Sequence, residues 1–486
     1  MYFSRPLLTV LLFVVTAHFA FSQQKDLYSY QQLSHLFYQK QIDSLKKAWV
    51  CPETYKEKAV QKKYREIWDD RTTQIIRYFT NDNYVFDQEL YQYVQEIINQ
   101  LAAASPQLIP VKPLLLLDRS PSANAYATGG NLIAVNLGML SFVQSREELA
   151  MVIAHELSHN ILSHAEFAMQ QKAEWLTSDE YKESLNSVLD SKYNRLTRLK
   201  KIFENFSFDR SRHQRFKESE ADSLAILMVK KSNLAFDAFF FKRLDSSDME
   251  YKLPLKKALD TYLLPYGLPF ENAWTQKRSK GLSTRAYNFS DTSRRLQDSL
   301  KTHPDCEERY NRTLAATTPG TVLTPVPAHI REKANKIMIW NIYCNGNLTT
   351  CLYRILLEKD KGNTDVWYDF MVHNVFAGLF YADKDLRRFN AIGVVPKELI
   401  STNYYQLQTM FEQIPRESLE IYSRTLQSAS FWSKMSRNEI GLKNFLYTLS
   451  WESDNTEKSN ALAAKNFLND YASSPYCEFA TAFSKK

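Results

Sequence analysis

Residues Ala150–His164 read AMVIAHELSHNILSH. The stretch holds the pattern H-E-x-x-H as His155, Glu156 and His159. On a helix, residues four apart lie one turn apart on the same face. Both imidazoles then reach one metal ion, and zinc suits such ligands. Glu156 sits about 100° around the helix from His155. From there a carboxylate reaches a metal-activated water and takes its proton. The competing reading is an ordinary core helix that carries histidines. Chance alone gives H-E-x-x-H in a chain of this length on the order of one time in a hundred. The flanks favour a site, because Val152, Ile153, Ala154, Leu157, Ser158 and Ile161 carry no charge. Ser145 and Glu148 form an S-x-x-E capping box, which predicts a helix over residues 145–164. His164 would then lie about 140° from His159 and point elsewhere.

A catalytic zinc takes three protein ligands and leaves one position open. The sixth residue after His159 is Ala165, so the third ligand is not a histidine there. Downstream, RFKESEADSLAILMVKK places Glu218 and Asp222 one helical turn apart. One carboxylate suits the metal and the other suits a hydrogen bond from a ligating imidazole. Taken without the first motif, E-x-E-A-D reads as a solvated helix face.

Around this centre the chain reads as mainly helical. Its 486 residues contain only 11 glycines, well below the usual share of about 7 %. Leu90, Val94, Ile97, Ile98 and Leu101 recur at helical spacing within a helical region from about Asp26 to Ala104. VKPLLLLDRS reads as a strand, and ANAYATGGNLIAVNLGML as a turn followed by a second strand from Leu132 to Val135. AATTPGTVLTPVPAH is rich in proline and threonine and reads as a linker over 316–329. Residues 330–486 read as a helical domain, faintly like tetratricopeptide repeats but without their period of about 34 residues.

The first residues, MYFSRPLLTVLLFVVTAHFAFSQQKD, have the shape of a signal peptide over 1–22. Arg5 precedes an apolar run from Leu7 to Val15, with small residues at Ala20 and Ser22. A retained anchor is the alternative, but the run is short for a span. No second segment is apolar enough to cross a bilayer, so an exported chain, periplasmic or secreted, is expected. The net charge of +7 arises from 61 basic and 54 acidic residues spread along the chain. No basic block marks a nucleic-acid partner. Of five cysteines, Cys344 and Cys351 are close enough in sequence to pair, and the odd count leaves a thiol over.

HELSH followed about sixty residues later by ESEAD resembles the gluzincin metalloendopeptidase family of the CAAX prenyl proteases, the HtpX-type proteases and their exported soluble relatives. The resemblance implies an α+β zincin-like peptidase domain with a small sheet over 23–315, followed by the helical domain. It implies one Zn2+ per chain, held by His155, His159 and Glu218. Glu156 would be the general base, and Asp222 would support a ligand. NAYATGG resembles the family's edge strand, so Asn124, Ala125, Tyr126, Ala127, Gly129 and Gly130 would bind an extended peptide. THPDCEER resembles a T-H-P-x-x-x-x-R element, in which His303 would stabilise the oxyanion and Arg309 would hold its surroundings in place. The stretch between ESEAD and THPDCEER is longer than the family pattern, and the insertion within it, which includes MEYKLPLKKALDTYLLPYGLPFENAWTQ, would lid or restrict the cleft.

The function implied is zinc-dependent endoproteolysis of protein or peptide substrates, misfolded envelope proteins among them, in quality control or processing. The helical domain would recruit protein partners. The alternative is a chaperone-like or partner-binding factor with a self-inhibited peptidase domain.

Overall fold

The computed structural model describes residues 31–32, 35–80, 84–191, 193–245, 247–276, 306–320 and 322–484. Its architecture is mainly helical with one small mixed sheet. The expected signal peptide and His303 lie outside the described residues.

The sheet has five strands in the order β1-β2-β3-β5-β4. They are β1 (Gln31–Gln32), β2 (Tyr84–Phe86), β3 (Leu114–Asp118), β4 (Ala125–Gly129) and β5 (Leu132–Asn136). Only β3 and β5 pair in parallel, with Leu115 opposite Ile133 and Leu117 opposite Val135. Successive strand residues face opposite sides, and here both sides are buried. Leu115, Leu117, Ile133 and Val135 join the main core. Leu116, Leu132 and Ala134 join a second cluster with Leu45, Trp49, Tyr64 and Trp68. Strands covered on both faces read as unbroken apolar runs, which is why LLLL and LIAV show no alternation.

The second cluster is supplied by an N-terminal helical hairpin, α1 (His35–Ala48) and α2 (Lys58–Thr80). On the other face lie α3 (Gln88–Ala104) and, after the short α4 (Leu137–Phe142), α5 (Arg146–Ile161), which carries the H-E-x-x-H pattern. The Ser145–Glu148 capping box forms as the sequence predicts. Glu147 through Ser158 are buried without a break, and a helix buried all round is free of charged stripes. Asn160 ties it to the sheet, donating to the Leu132 carbonyl at 3.2 Å.

The expected continuation of this helix to His164 does not occur. Ser163 adopts φ 52°, and a new helix, α6 (His164–Thr177), starts at once. After α7 (Asp179–Leu189) comes the 37-residue α8 (Arg195–Lys231), which packs along α5 and carries Glu218, Glu220 and Asp222.

Two described residues within the expected linker over 316–329 are tied to the peptidase region by hydrogen bonds. Thr318 N–H donates to the Phe236 carbonyl at 2.8 Å, and Val326 N–H to that of Gln144 at 2.9 Å. Nine further helices follow from Ala328 to Ser484 among the described residues. Their lengths range from 5 to 19 residues, so no regular repeat arises. The last, Cys477–Ser484, returns to the first: Trp340 Nε1 donates to Glu478 Oε1 at 2.6 Å, and Arg119 pairs with Glu478 at 3.2 Å.

The stretch expected to lid the cleft does something else. Leu255 N–H donates to Asn403 Oδ1 at 3.1 Å, Tyr266 OH to Asp369 Oδ1 at 2.5 Å, and Trp274 meets the Tyr422 ring. Its apolar residues Leu255, Leu259, Leu263 and Leu268 are buried in the main core. Residues 247–276 thus strap the C-terminal helices, and none of them lines the cleft described below. Cys344 and Cys351, close enough in sequence to pair, form no disulfide with each other. Cys344 faces Glu478, and Cys351 faces the Ile339 carbonyl. Burial raises both thiols.

Candidate metal centre

Helix α5 presents His155 and His159 to Glu218 of α8. The two Nε2 atoms are 3.1 Å apart. His155 Nε2 lies 3.2 Å from Glu218 Oε2, and His159 Nε2 lies 3.5 Å from Oε1. Ligand atoms placed tetrahedrally at about 2.05 Å from zinc would be about 3.3 Å apart. These spacings suit three ligands gathered about one such ion, with one ligand atom of each side chain within 4.8 Å of the others. Among the described residues this is the single group of three or more such side chains that fits a metal ion. The donor chemistry fits as well: two imidazole nitrogens and a carboxylate are a ligand set that zinc takes at catalytic sites.

Behind His155 lies a charged cage. Its Nδ1 is 3.0 Å from Asp222 Oδ1. Asp222 is fully buried, accepts from Arg309 at 2.6 and 3.0 Å, and accepts from Arg312 Nη2 at 3.0 Å. Burial alone would lower the His155 pKa, but hydrogen bonds to Asp222 and Glu218 hold it up at about 9. Burial would raise the Asp222 carboxyl, yet the Arg309 guanidinium and His155 hold it well below the carboxylate range. Arg309 comes from the helix Cys306–Thr313 and rests over the Phe241 ring at 4.3 Å. The sequence flagged Arg309 as a holding group; its partner is Asp222, which sequence spacing did not reveal.

His159 has a different neighbour. Its Nδ1 is 2.7 Å from His164 Nδ1. The left-handed Ser163 turns the chain so that His164 comes back onto His159. This overturns the reading in which His164 points elsewhere, since that reading continued the helix. Burial and Lys217 lower the His164 pKa to about 4.

The centre opens on a cleft of 650 Å³ lined by Glu156, His159, His164 and the strand residues Asn124, Ala125, Tyr126 and Ala127. Ile67, Asp70, Arg71 and Gln74 of α2 form the facing wall, which sequence reading missed. Tyr126 is fixed by donating to Asp118 Oδ2 at 2.7 Å. Gly129 and Gly130 are not among the lining residues. A Cβ on Gly130 would come within 2.8 Å of Leu45, and one on Gly129 within 3.1 Å of Trp49. Both have positive φ, which glycine adopts readily. The pair thus makes room for the N-terminal hairpin, where sequence reading expected a substrate backbone. Arg71 Nε also donates to the Thr128 carbonyl at 3.2 Å, covering that end of the edge strand.

Comparison with known proteins agrees with this geometry. Residues 88–317 match the family described as Peptidase family M48. A 108-residue stretch is 29 % identical to a Vibrio cholerae serotype O1 protein named "Putative beta-barrel assembly-enhancing protease". That match spans 22 % of this chain and 22 % of that protein's length. No helix of the described residues is long and apolar enough to cross a membrane. The match to peptidase family M48 thus covers residues 88–317, a little under half of the chain, and supports a peptidase domain there.

Proposed function

We propose that the chain is a zinc-dependent endopeptidase, with His155, His159 and Glu218 as the zinc ligands. The observation that carries this reading is the convergence of His155, His159 and Glu218, with one ligand atom of each within 4.8 Å of the others, beside a cleft that His159 and Glu156 line. Zinc, when bound, supplies a Lewis acid that brings the pKa of water to about 7. Glu156, buried at the cleft wall, takes the proton from the attacking water. As the carbon–nitrogen bond breaks, it passes that proton to the departing amine. The water's oxygen ends on the carbonyl carbon, so the products are a carboxylate and an amine. Asp222 orients His155 by accepting from Nδ1. An extended peptide lies along Asn124–Ala127, adding main-chain hydrogen bonds to the edge strand. His303, through its T-H-P-x-x-x-x-R context, is assigned the role of donor to the developing oxyanion.

We further assign the protein to an exported compartment, acting on misfolded or assembling envelope proteins. The apolar first residues and the name of the Vibrio cholerae relative support this. The helical C-terminal part is where protein partners would dock.

The test is Glu156→Gln in the full chain. The variant is expected to keep about one zinc per chain and to lose about a thousandfold or more of its casein cleavage, since it lacks the base. A variant that cleaves as fast as wild type defeats the mechanism. Capture of unfolded proteins that survives Glu156→Gln, with no chelator-sensitive cleavage by wild type, would point instead to a binding factor.

A further inference from the structure

The segment ESEAD holds three carboxylates, and the reading above uses only Glu218 and Asp222. Glu220 faces neither proposed ligand directly. Its Oε2 lies 3.8 Å from His164 Nε2, and His164 Nδ1 lies 2.7 Å from His159 Nδ1.

We propose that His164 is a positioning residue for the metal centre, accepting the Nδ1 proton of His159 and linking it to Glu220. This rests on the zinc reading. A neutral imidazole carries one proton, so a histidine that binds metal through Nε2 has its proton on Nδ1. In His159 that proton points at His164 Nδ1, which must therefore accept. The proton of His164 then sits on Nε2, facing Glu220. At 3.8 Å the Glu220 carboxylate lies beyond hydrogen-bond range and acts on that proton through its charge.

The centre thus has two parallel supports. Asp222 holds His155 directly, and Glu220 holds His159 through His164. All three carboxylates come from about one turn of α8, and both supported imidazoles come from α5. The break at Ser163 has a use in this arrangement. A helix continuing through residue 164 would carry that side chain away from His159. A hydrogen-bonded partner fixes the ring orientation and raises ligand basicity, so its loss weakens metal binding about 10–100-fold.

The experiment compares zinc affinity in full-length wild type, His164→Ala, His164→Asn and Glu220→Gln, by competition with a chromophoric chelator. Unfolding of each metal-free protein is measured alongside. The Asn Oδ1 can take the place of the imidazole Nδ1 as acceptor. We expect His164→Ala to bind zinc 10–100-fold more weakly and His164→Asn to recover most of that loss. Glu220→Gln should cost only a few-fold. A structural role alone would lower metal-free stability without this Ala–Asn split. His164→Ala binding as tightly as wild type overturns the relay and leaves the zinc reading standing. So does His164→Asn binding no better than Ala. Wild type that takes up no zinc overturns the zinc reading itself, and the relay with it.

Discussion

The peptidase region and the C-terminal helices offer two contrasting pairs of a buried histidine and a buried carboxylate, with opposite consequences. In the peptidase region they are His155 and Asp222, bonded to each other. In the C-terminal region they are His373 and Glu439, which have separate partners. His373 lies between Asn374 and Gln427 and against Trp432. Glu439 accepts from the Ser436 N–H at 3.1 Å and the Tyr476 hydroxyl at 2.6 Å, capping its own helix. Burial pushes both imidazoles toward the neutral form. Carboxylates outweigh it at His155, whose pKa stands at about 9. Amides do not at His373, whose pKa falls to about 4. A buried histidine is therefore no sign of a site by itself. Convergence of charged partners on an open cleft separates the metal centre from a packing histidine.

The largest expected effect lies in the cage. Arg309→Met leaves the buried Asp222 with Arg312 and His155 as its remaining charged partners. Removing one member of a buried ion pair costs about 3–5 kcal/mol. Denaturant unfolding of the metal-free variant should show that loss, and zinc affinity should fall with it. A cost below about 1 kcal/mol would mean the two regions bury charge in the same way.

The pH dependence comes next, and the two histidines act at opposite ends. His155 is raised, so its contribution in metal-free protein is full below pH 6.5 and is lost as pH rises toward about 9. His373 is depressed, so the unfolded chain binds a proton that the folded chain refuses between pH 6.5 and about 4. Stability falls as pH drops through that window, by about 3 kcal/mol at about 1.4 kcal/mol per pH unit. Replacing His373 by Leu should remove its share of that slope and leave the share of His164, whose pKa also falls to about 4, whatever constant offset it adds. Equal slopes for wild type and His373→Leu in urea titrations would discard the assignment.

Much of this contrast is legible in the sequence where the signal is local. The H-E-x-x-H spacing, the Ser145 cap and the one-turn step from Glu218 to Asp222 each lie within one helix, whose geometry is known in advance. LLLL and LIAV announce buried strands by their own composition. What the sequence conceals depends on tertiary contact. Ser163 turns left-handed without a glycine, asparagine or proline to mark it, so the return of His164 to His159 is invisible. Gly129 and Gly130 announce unusual backbone, but only the structure shows that Leu45 and Trp49 fill the space. The strap over 247–276 reads as a lid because its partners, Asp369, Asn403 and Tyr422, lie more than a hundred residues away. His373 shows no motif, and its neutral surroundings come from a residue 54 positions on.

The smallest expected effect is the sharpest test of the contrast. Gln427→Glu puts a carboxylate against His373 without altering the length of the side chain or the burial around it. If partners decide the direction, the His373 pKa should rise by about two units, within the 1–3 that an opposite charge at this range supplies. NMR titration of the imidazole measures this directly. The acid limb of the stability curve should shrink in step, because the folded chain then accepts the proton it formerly refused. Zinc uptake should stay unchanged at the level set by the peptidase region. One histidine and one carboxylate make two ligands, and a catalytic site needs three with an open position. A pKa still near 4 would show that burial governs His373 regardless of partner. The high value at His155 would then need a cause other than Asp222 and Glu218.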